Sequence, residues 1–234
     1  MSLARLVREE ALAGPEHLDP ASVEAYDRKA GTDVAEEIRD LRAAGLGAHA
    51  TLVDLGAGTG TLALAASDVC ERVVAVDISP AMVATMTARL AERGVSNVEC
   101  VRAGFLSYEH AGAPADVVYT RNALHHLPDF WKAIALRRMA DLLRPGGVLR
   151  LHDLVFAFEP HEADTSLDRW FDAAAERAAD GWTRDELEMH VRDEHSTFTW
   201  LLEPMIERAG FEIQRAEHDE LKVYADYTCI KRTP

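Results

Sequence analysis

The chain has 234 residues, enough for one domain with an inserted cap, and its 48% hydrophobic content supports a substantial core. A formal charge of −15 and a pI of about 5.0 repel phosphate backbones, so tRNA or DNA is disfavoured as a substrate; the plainer reading is a solvated acidic surface. Cys70, Cys100 and Cys229 are far apart, odd in number and without a C-x-x-C, and no apolar run approaches the ~20 residues of a membrane span, so reduced thiols in a soluble cytoplasmic protein are expected.

Residues 1–48 read as an N-terminal arm. Gly14-Pro15 and Asp19-Pro20 break its start. Ser22 is placed to cap a helix running from about Val23 toward Ala44, interrupted at Gly31, with Val34, Ile38 and Leu41 at helical spacing. Strand one, Thr51 to Leu55, runs into the glycine-rich turn Gly56-Ala57-Gly58-Thr59-Gly60, and a helix carrying Leu62, Ala65 and Ala66 follows. Strand two, Val73 to Val76, ends in Asp77. Ser79-Pro80 then starts a helix with Met82, Val83, Met86 and Leu90 on one face, which Gly94 stops. Strand three is Val98 to Val101 and strand four Val117 to Thr120. Asp129 is placed to cap a helix through Leu142, and Pro145-Gly146-Gly147 leads into strand five, Val148 to Leu151. Residues 160–209 are helical and rich in Trp, His and acids, with a capping box at Thr183-Arg184-Asp185-Glu186. Phe211 to Arg215 and Val223 to Ile230 are the last two strands. The alternation predicts a doubly wound, mostly parallel sheet with ligands at the carboxyl ends of its strands.

Strand one, its turn and Asp77 together suggest an adenosyl ligand. Glycines admit close backbone approach, and a carboxylate at the next strand tip is placed to accept from a ribose diol. The dinucleotide fingerprint G-x-G-x-x-G is not met, because its third glycine position is Thr61, and no G-x-x-x-x-G-K-[ST] phosphate loop occurs.

Asp54-Leu-Gly-Ala-Gly-Thr-Gly60 followed by Asp77 resembles the nucleotide site of class I S-adenosylmethionine methyltransferases. Asp116-Val-Val-Tyr-Thr, Asn122-Ala-Leu-His-His-Leu-Pro-Asp129 and Leu142-Leu-Arg-Pro-Gly-Gly-Val-Leu149 match later elements in order, so the resemblance covers roughly residues 50–155. It implies a single Rossmann-like α/β domain with a seven-stranded sheet, an antiparallel C-terminal hairpin, and the 160–209 insert as a substrate lid. It implies S-adenosylmethionine as cofactor and S-adenosylhomocysteine as product. Gly56, Ala57, Gly58, Thr59 and Gly60 approach the methionine half, Asp54 orders the turn, Asp77 holds the ribose, and Ile78 and Met82 flank adenine. Asn122 holds the ammonium group through its backbone, and Tyr26 is a candidate contact to the cofactor's carboxylate or sulfonium. Many members carry an acid for the adenine amino group after strand three. Here that place is Gly104, which leaves adenine to Phe105 and backbone atoms.

His125 and His126 follow strand four and Asp153 follows strand five, so both loops open on one crevice. Histidine suits proton abstraction from an alcohol or phenol, and a carboxylate orients and stabilises its charged form. These stretches resemble the catalytic elements of sugar and natural-product O-methyltransferases, with His125 or His126 as base and Asp153 as partner. They also resemble ubiquinone and menaquinone C-methyltransferases, where one ring braces the loop; His126 is the expected brace. The expected acceptor is therefore a small molecule. The residues also leave room for a tRNA methyltransferase, for a non-catalytic cofactor-binding protein, and for a homodimer. Glu186, His190 and Glu194 share a helix face, read as a solvated stripe of ion pairs rather than a metal site. The aromatic residues of the insert either line the acceptor pocket or pack the insert onto the sheet.

Overall fold

The computed structural model describes residues 6–14, 33–176 and 182–233. A 3-10 turn, Glu9–Leu12, precedes α1 (Val34–Ala43). Then come β1 (Thr51–Leu55), α2 (Thr61–Ala66), β2 (Arg72–Asp77), α3 (Pro80–Glu92), β3 (Val98–Arg102) and β4 (Ala115–Arg121). A 3-10 turn at Leu124–His126 leads into α4 (Asp129–Leu142) and the long β5 (Leu143–Phe156). The insert carries α5 (Ala163–Glu176), α6 (Arg184–Asp193) and the short β6 (Thr197–Phe198). The chain closes with α7 (Thr199–Arg208), β7 (Phe211–His218) and β8 (Tyr224–Lys231).

The strand order is β3-β2-β1-β4-β5-β8-β7, with β6 pairing β5 off that path. Strands β1 to β5 are mutually parallel, and β8 lies antiparallel between β5 and β7. This is the expected sheet, plus the two-residue β6. Strand five runs further than expected at both ends: Arg144–Gly147 bulges out between the pairs Ala115–Leu143 and Val117–Val148, and pairing with β8 and β6 carries the strand on to Phe156, so Asp153 lies within it rather than after it.

Both faces of the sheet are buried, so alternate residues of each strand enter different cores. Val53, Val74, Val76 and Val118 pack with Leu136 and Met139 of α4 and with Leu202 and Ile206 of α7. Leu52, Val73, Ala75 and Val117 pack with Leu41 of α1, Leu62 and Ala66 of α2, and Met86 and Leu90 of α3. The insert has its own small core, built from Phe156, Phe158, Trp170, Phe171 and Leu187 with Val223 from the hairpin.

Local signals explain most boundaries. Ser79 accepts from Met82 N at 3.2 Å with Pro80 in the first turn, and Thr183 and Glu186 form the reciprocal capping box. Asp129 does not cap α4. The cap position is Pro128, and the Asp129 carboxylate instead binds buried Lys132 (2.9 Å) and Thr197 Oγ1 (3.3 Å), because an ion pair with a buried ammonium outcompetes a solvated cap. The expected cap Ser22 and the candidate Tyr26 lie outside the described residues. Among the described residues, no helix is long and apolar enough to cross a membrane.

Candidate active site

Strand order reverses between β1 and β4, and the crevice outside their carboxyl ends is where doubly wound sheets bind ligands. An open cleft lies there, the usual form of a small-molecule site. Gly56, Gly58, Asp77, Ile78, Met82, Gly104, Phe105 and Asn122 line it, as do His126, Leu127 and Ala123. Within the turn the amides of Gly56 and Ala57 both donate to Val76 O, at 2.9 and 3.0 Å, and Gly60 N donates to Ala57 O at 3.0 Å, while Thr59 is buried beside them.

The turn must be glycine for steric reasons. Gly56 has φ +78°, and a Cβ there would sit 2.5 Å from the Ala123 Cβ. Gly60 has φ +81°, and its Cβ would strike Met86 at 2.5 Å. The close seam between turn and β4 loop thus excludes side chains and leaves backbone facing the cleft.

Asp77 is buried at the tip of β2. Its Oδ2 accepts from Gly58 N and its Oδ1 from Ser79 N, each at 2.8 Å. Those bonds fix the carboxylate and the turn as one unit, and each oxygen retains further acceptor capacity. Asp54 lies beneath, off the cleft; burial first, then Asp77 and Glu37, push its carboxyl up to about 8. Asn122 holds φ +47°, a conformation asparagine tolerates better than most residues, and its amide donates to His152 O at 2.9 Å. A glycine cradle, a fixed buried acceptor pair and apolar walls from Ile78, Met82 and Phe105 fit an adenosyl amino acid cofactor.

The two histidines differ sharply. His125 is buried, with Nδ1 bonded to Asp153 Oδ1 by a short contact and Nε2 3.0 Å from Glu194 Oε2. Burial works against its charge, but Asp153 and then Glu194 outweigh it and push His125 up to about 9. Burial likewise opposes the charge on Asp153, and His125 overrides it, holding that carboxyl below its ordinary range. Asp153 also accepts from the amides of Leu124 (2.8 Å), His125 (3.1 Å) and Leu154 (2.8 Å), so it clamps the Leu124–His126 turn to β5. The bracing ring is therefore His125, whereas the sequence pointed to His126. His126 lines the cleft, with Nδ1 3.9 Å from Glu194 Oε2.

The expected solvated stripe of the insert divides in two. Glu186 serves the capping box, while Glu194 turns inward and meets His190 Nδ1 at 2.5 Å as well as His125. Burial opposes its charge, but bonds from His125 and His190 hold Glu194 well below the usual carboxylate range. His125, His190 and Glu194 have ligand atoms within 4.8 Å of one another. The 2.5 Å ion-pair contact is shorter than the ~3.4 Å between two ligands on one tetrahedral zinc. His195 N donates to His125 O at 3.0 Å, and buried Lys132 donates to His195 O, so the insert is stitched to the β4 loop. Trp170 packs the insert, meeting Phe171, His190 and Tyr224, whereas Trp200 stacks on Phe198 and stays exposed.

Two pairings escaped sequence reasoning. Arg121 binds buried Glu37 of α1 at 2.6 Å, and Glu9 of the N-terminal turn lines the cleft. The one signal for the second was the missing acid at Gly104 beside an acidic pair, Glu9-Glu10, far upstream.

Residues 52–147 match the family model described as a methyltransferase domain. That stretch spans the glycine turn, Asp77 and the His125-His126 loop, and it is similar to methyltransferase domains. The chain is 33% identical over 122 residues to the 27-O-demethylrifamycin SV methyltransferase of Amycolatopsis mediterranei, covering 50% of this chain and 43% of that protein. It is 32% identical over 102 residues to the Bacillus subtilis methyltransferase YcgJ, covering 44% and 40%. The chain thus spans under half the length of these two relatives. Its fold matches a SAM-dependent methyltransferase from Aquifex aeolicus at a TM-score of 0.64 and 17% identity, covering 91% of this chain and 98% of that one. It also matches the [4+2]-cyclase SpnF, at a TM-score of 0.65 and 19% identity, covering 86% and 82%.

Proposed function

We propose that the chain moves a methyl group from S-adenosylmethionine to an oxygen of a small-molecule acceptor. The observation that carries this is the division of labour at the β4 loop: His125 is sealed between two carboxylates, and His126 faces the cleft that Asp77 and the glycine turn define. The bound cofactor supplies an electrophilic methyl on a sulfonium centre. Gly56, Gly58 and Asp77 hold the donor in place, and Asn122 fixes the adjoining wall. Holding donor and acceptor in line accounts for much of such a rate enhancement. The acceptor hydroxyl must lose a proton as its oxygen attacks. His125 is already charged at neutral pH and has carboxylates at both nitrogens, so the base role falls to His126. His125 and Asp153 act through it, as positioning residues. The relative from Amycolatopsis is named as an O-methyltransferase, which agrees with oxygen as the accepting atom.

The test is methyl transfer from labelled cofactor to a panel of phenols, alcohols and enols, with His126→Gln beside wild type and S-adenosylhomocysteine affinity measured on both. A base at His126 predicts a kcat loss of about 10²–10⁴-fold with cofactor affinity unchanged. An unchanged kcat on an enol moves the reading to carbon methylation. Cofactor binding without turnover on any acceptor moves it to a binding protein, and SpnF shows that the name of a protein with this fold need not be that of a methyltransferase.

A further inference from the structure

Gly104 lacks the acid that the resemblance leads one to expect, yet a carboxylate stands in its place. A Cβ built on Gly104 would lie 2.3 Å from Glu9 Cδ, and 2.4 and 2.5 Å from its two oxygens. The two oxygens lie about as far from that point as an aspartate's own carboxylate oxygens lie from its Cβ. Glu9 enters from the 3-10 turn Glu9–Leu12, remote in sequence, and is held by contacts on several sides. Leu106 N donates to both oxygens, at 3.1 and 3.2 Å, and Ser107 Oγ lies 3.3 Å from Oε2 while accepting from Gly104 N at 2.9 Å. Arg102 pairs with the neighbouring Glu10 at 3.0 Å, and Leu12 packs against the sheet core. Burial raises the Glu9 pKa, opposed by Leu106, Ser107, Phe105 and Arg138. A carboxylate held in this way at the end of an apolar cleft calls for a donor from the ligand, because desolvated acceptor capacity is costly. Ile78, Met82, Phe105 and Leu12 make the slot, and Asp77 marks the ribose end. The group such a slot selects is a flat heteroaromatic base with an amino substituent.

We propose that Glu9 is a specificity-determining residue that accepts a hydrogen bond from the exocyclic amine of the cofactor's adenine, and that residue 104 is glycine to leave room for it. This rests on the cofactor reading given above. The Gly104 backbone lies outside the left-handed region, so space alone excludes a side chain. The carboxylate should then be transferable between the two positions.

Calorimetric titration with S-adenosylhomocysteine and with its deaminated analogue S-inosylhomocysteine tests this. The analogue presents an oxygen where adenine presents an amine. Wild type should prefer the adenine ligand by about 10- to 100-fold. Glu9→Ala should bring that ratio close to one. Gly104→Asp should weaken binding of S-adenosylhomocysteine in the wild-type background and restore the preference in the Glu9→Ala background. A preference that survives Glu9→Ala, or an equal loss of affinity for both ligands that Gly104→Asp does not repair, overturns the role of Glu9 and leaves the cofactor standing. Wild type binding neither ligand overturns the cofactor reading, and this proposal with it. Thermal melting of each variant separates misfolding from lost recognition, and the double variant decides if Glu9→Ala is unstable.

Discussion

The His125–Asp153 pair should impose a pH dependence on stability that a neutral pair of similar shape, His125→Gln with Asp153→Asn, removes. His125 rises from 6.5 to about 9 in the folded chain, an upward shift worth about 3 kcal/mol at roughly 1.4 kcal/mol per unit. The folded state holds that proton more tightly than the unfolded state. The stabilisation is therefore complete below pH 6.5 and lost as pH rises through about 9. Asp153 shifts the other way, so its contribution is present above the ordinary carboxylate pKa and fades in acid. Asp54, raised to about 8, also destabilises with rising pH, but it is common to both proteins and cancels in the difference. The single variant His125→Gln is a poor control, because the orphaned Asp153 would take up a proton and create a slope of its own. The assay is urea unfolding from pH 5.5 to 9.5, followed by tryptophan fluorescence. The wild-type advantage over the neutral pair should shrink by about 3 kcal/mol between pH 6.5 and 9.5. A constant difference across that range would refute the pairing, and with it the argument that His125 is already charged when an acceptor must be deprotonated.

Other outcomes follow from the cleft. Asp77→Asn leaves one of the Gly58 and Ser79 amides facing a carboxamide N–H. It should cost about 1–3 kcal/mol in stability and weaken S-adenosylhomocysteine by roughly 10- to 100-fold, read by denaturation and calorimetry. Gly56→Ala drives a Cβ to 2.5 Å from Ala123 at φ +78°; a thermal shift should show at least about 1 kcal/mol of lost stability, with cofactor affinity falling as the turn opens. Asp54→Asn removes a group whose pKa is raised, so the fall in stability between about pH 4 and pH 8 should flatten relative to wild type; parallel pH–stability curves would show that Asp54 is not buried as a neutral acid.

What the sequence revealed was local. The glycine turn, the acid at the tip of β2 and the Ser79-Pro80 start each depend on neighbours a few residues away, and continuous apolar runs such as Val73-Val74-Ala75-Val76 declare a strand buried on both faces. Pairings set by the tertiary fold could not be read that way. His125 and His126 are adjacent and chemically identical, and only the fold, which brings Asp153 of β5 and Glu194 from the end of α6 against His125, makes one a brace and leaves the other at the cleft. Asp129 looked like a cap because Lys132, which claims its carboxylate, gave no sign in sequence of being buried. Glu9 left no trace but the missing acid at Gly104, since its partners lie nearly a hundred residues away.

The stitching of the insert to the β4 loop has a bearing on engineering. Residues 190–195 and 125–132 share a hydrogen-bonded seam, while the aromatic core of Trp170, Phe171 and Leu187 is separate from both sheet cores. The unit that would have to be exchanged whole between relatives is therefore not the insert as the chain runs. A graft that exchanges residues 157–196 alone would set a foreign carboxylate against the native His125. One that carries the loop and its lysine along keeps the seam matched and leaves the donor half of the cleft unaltered.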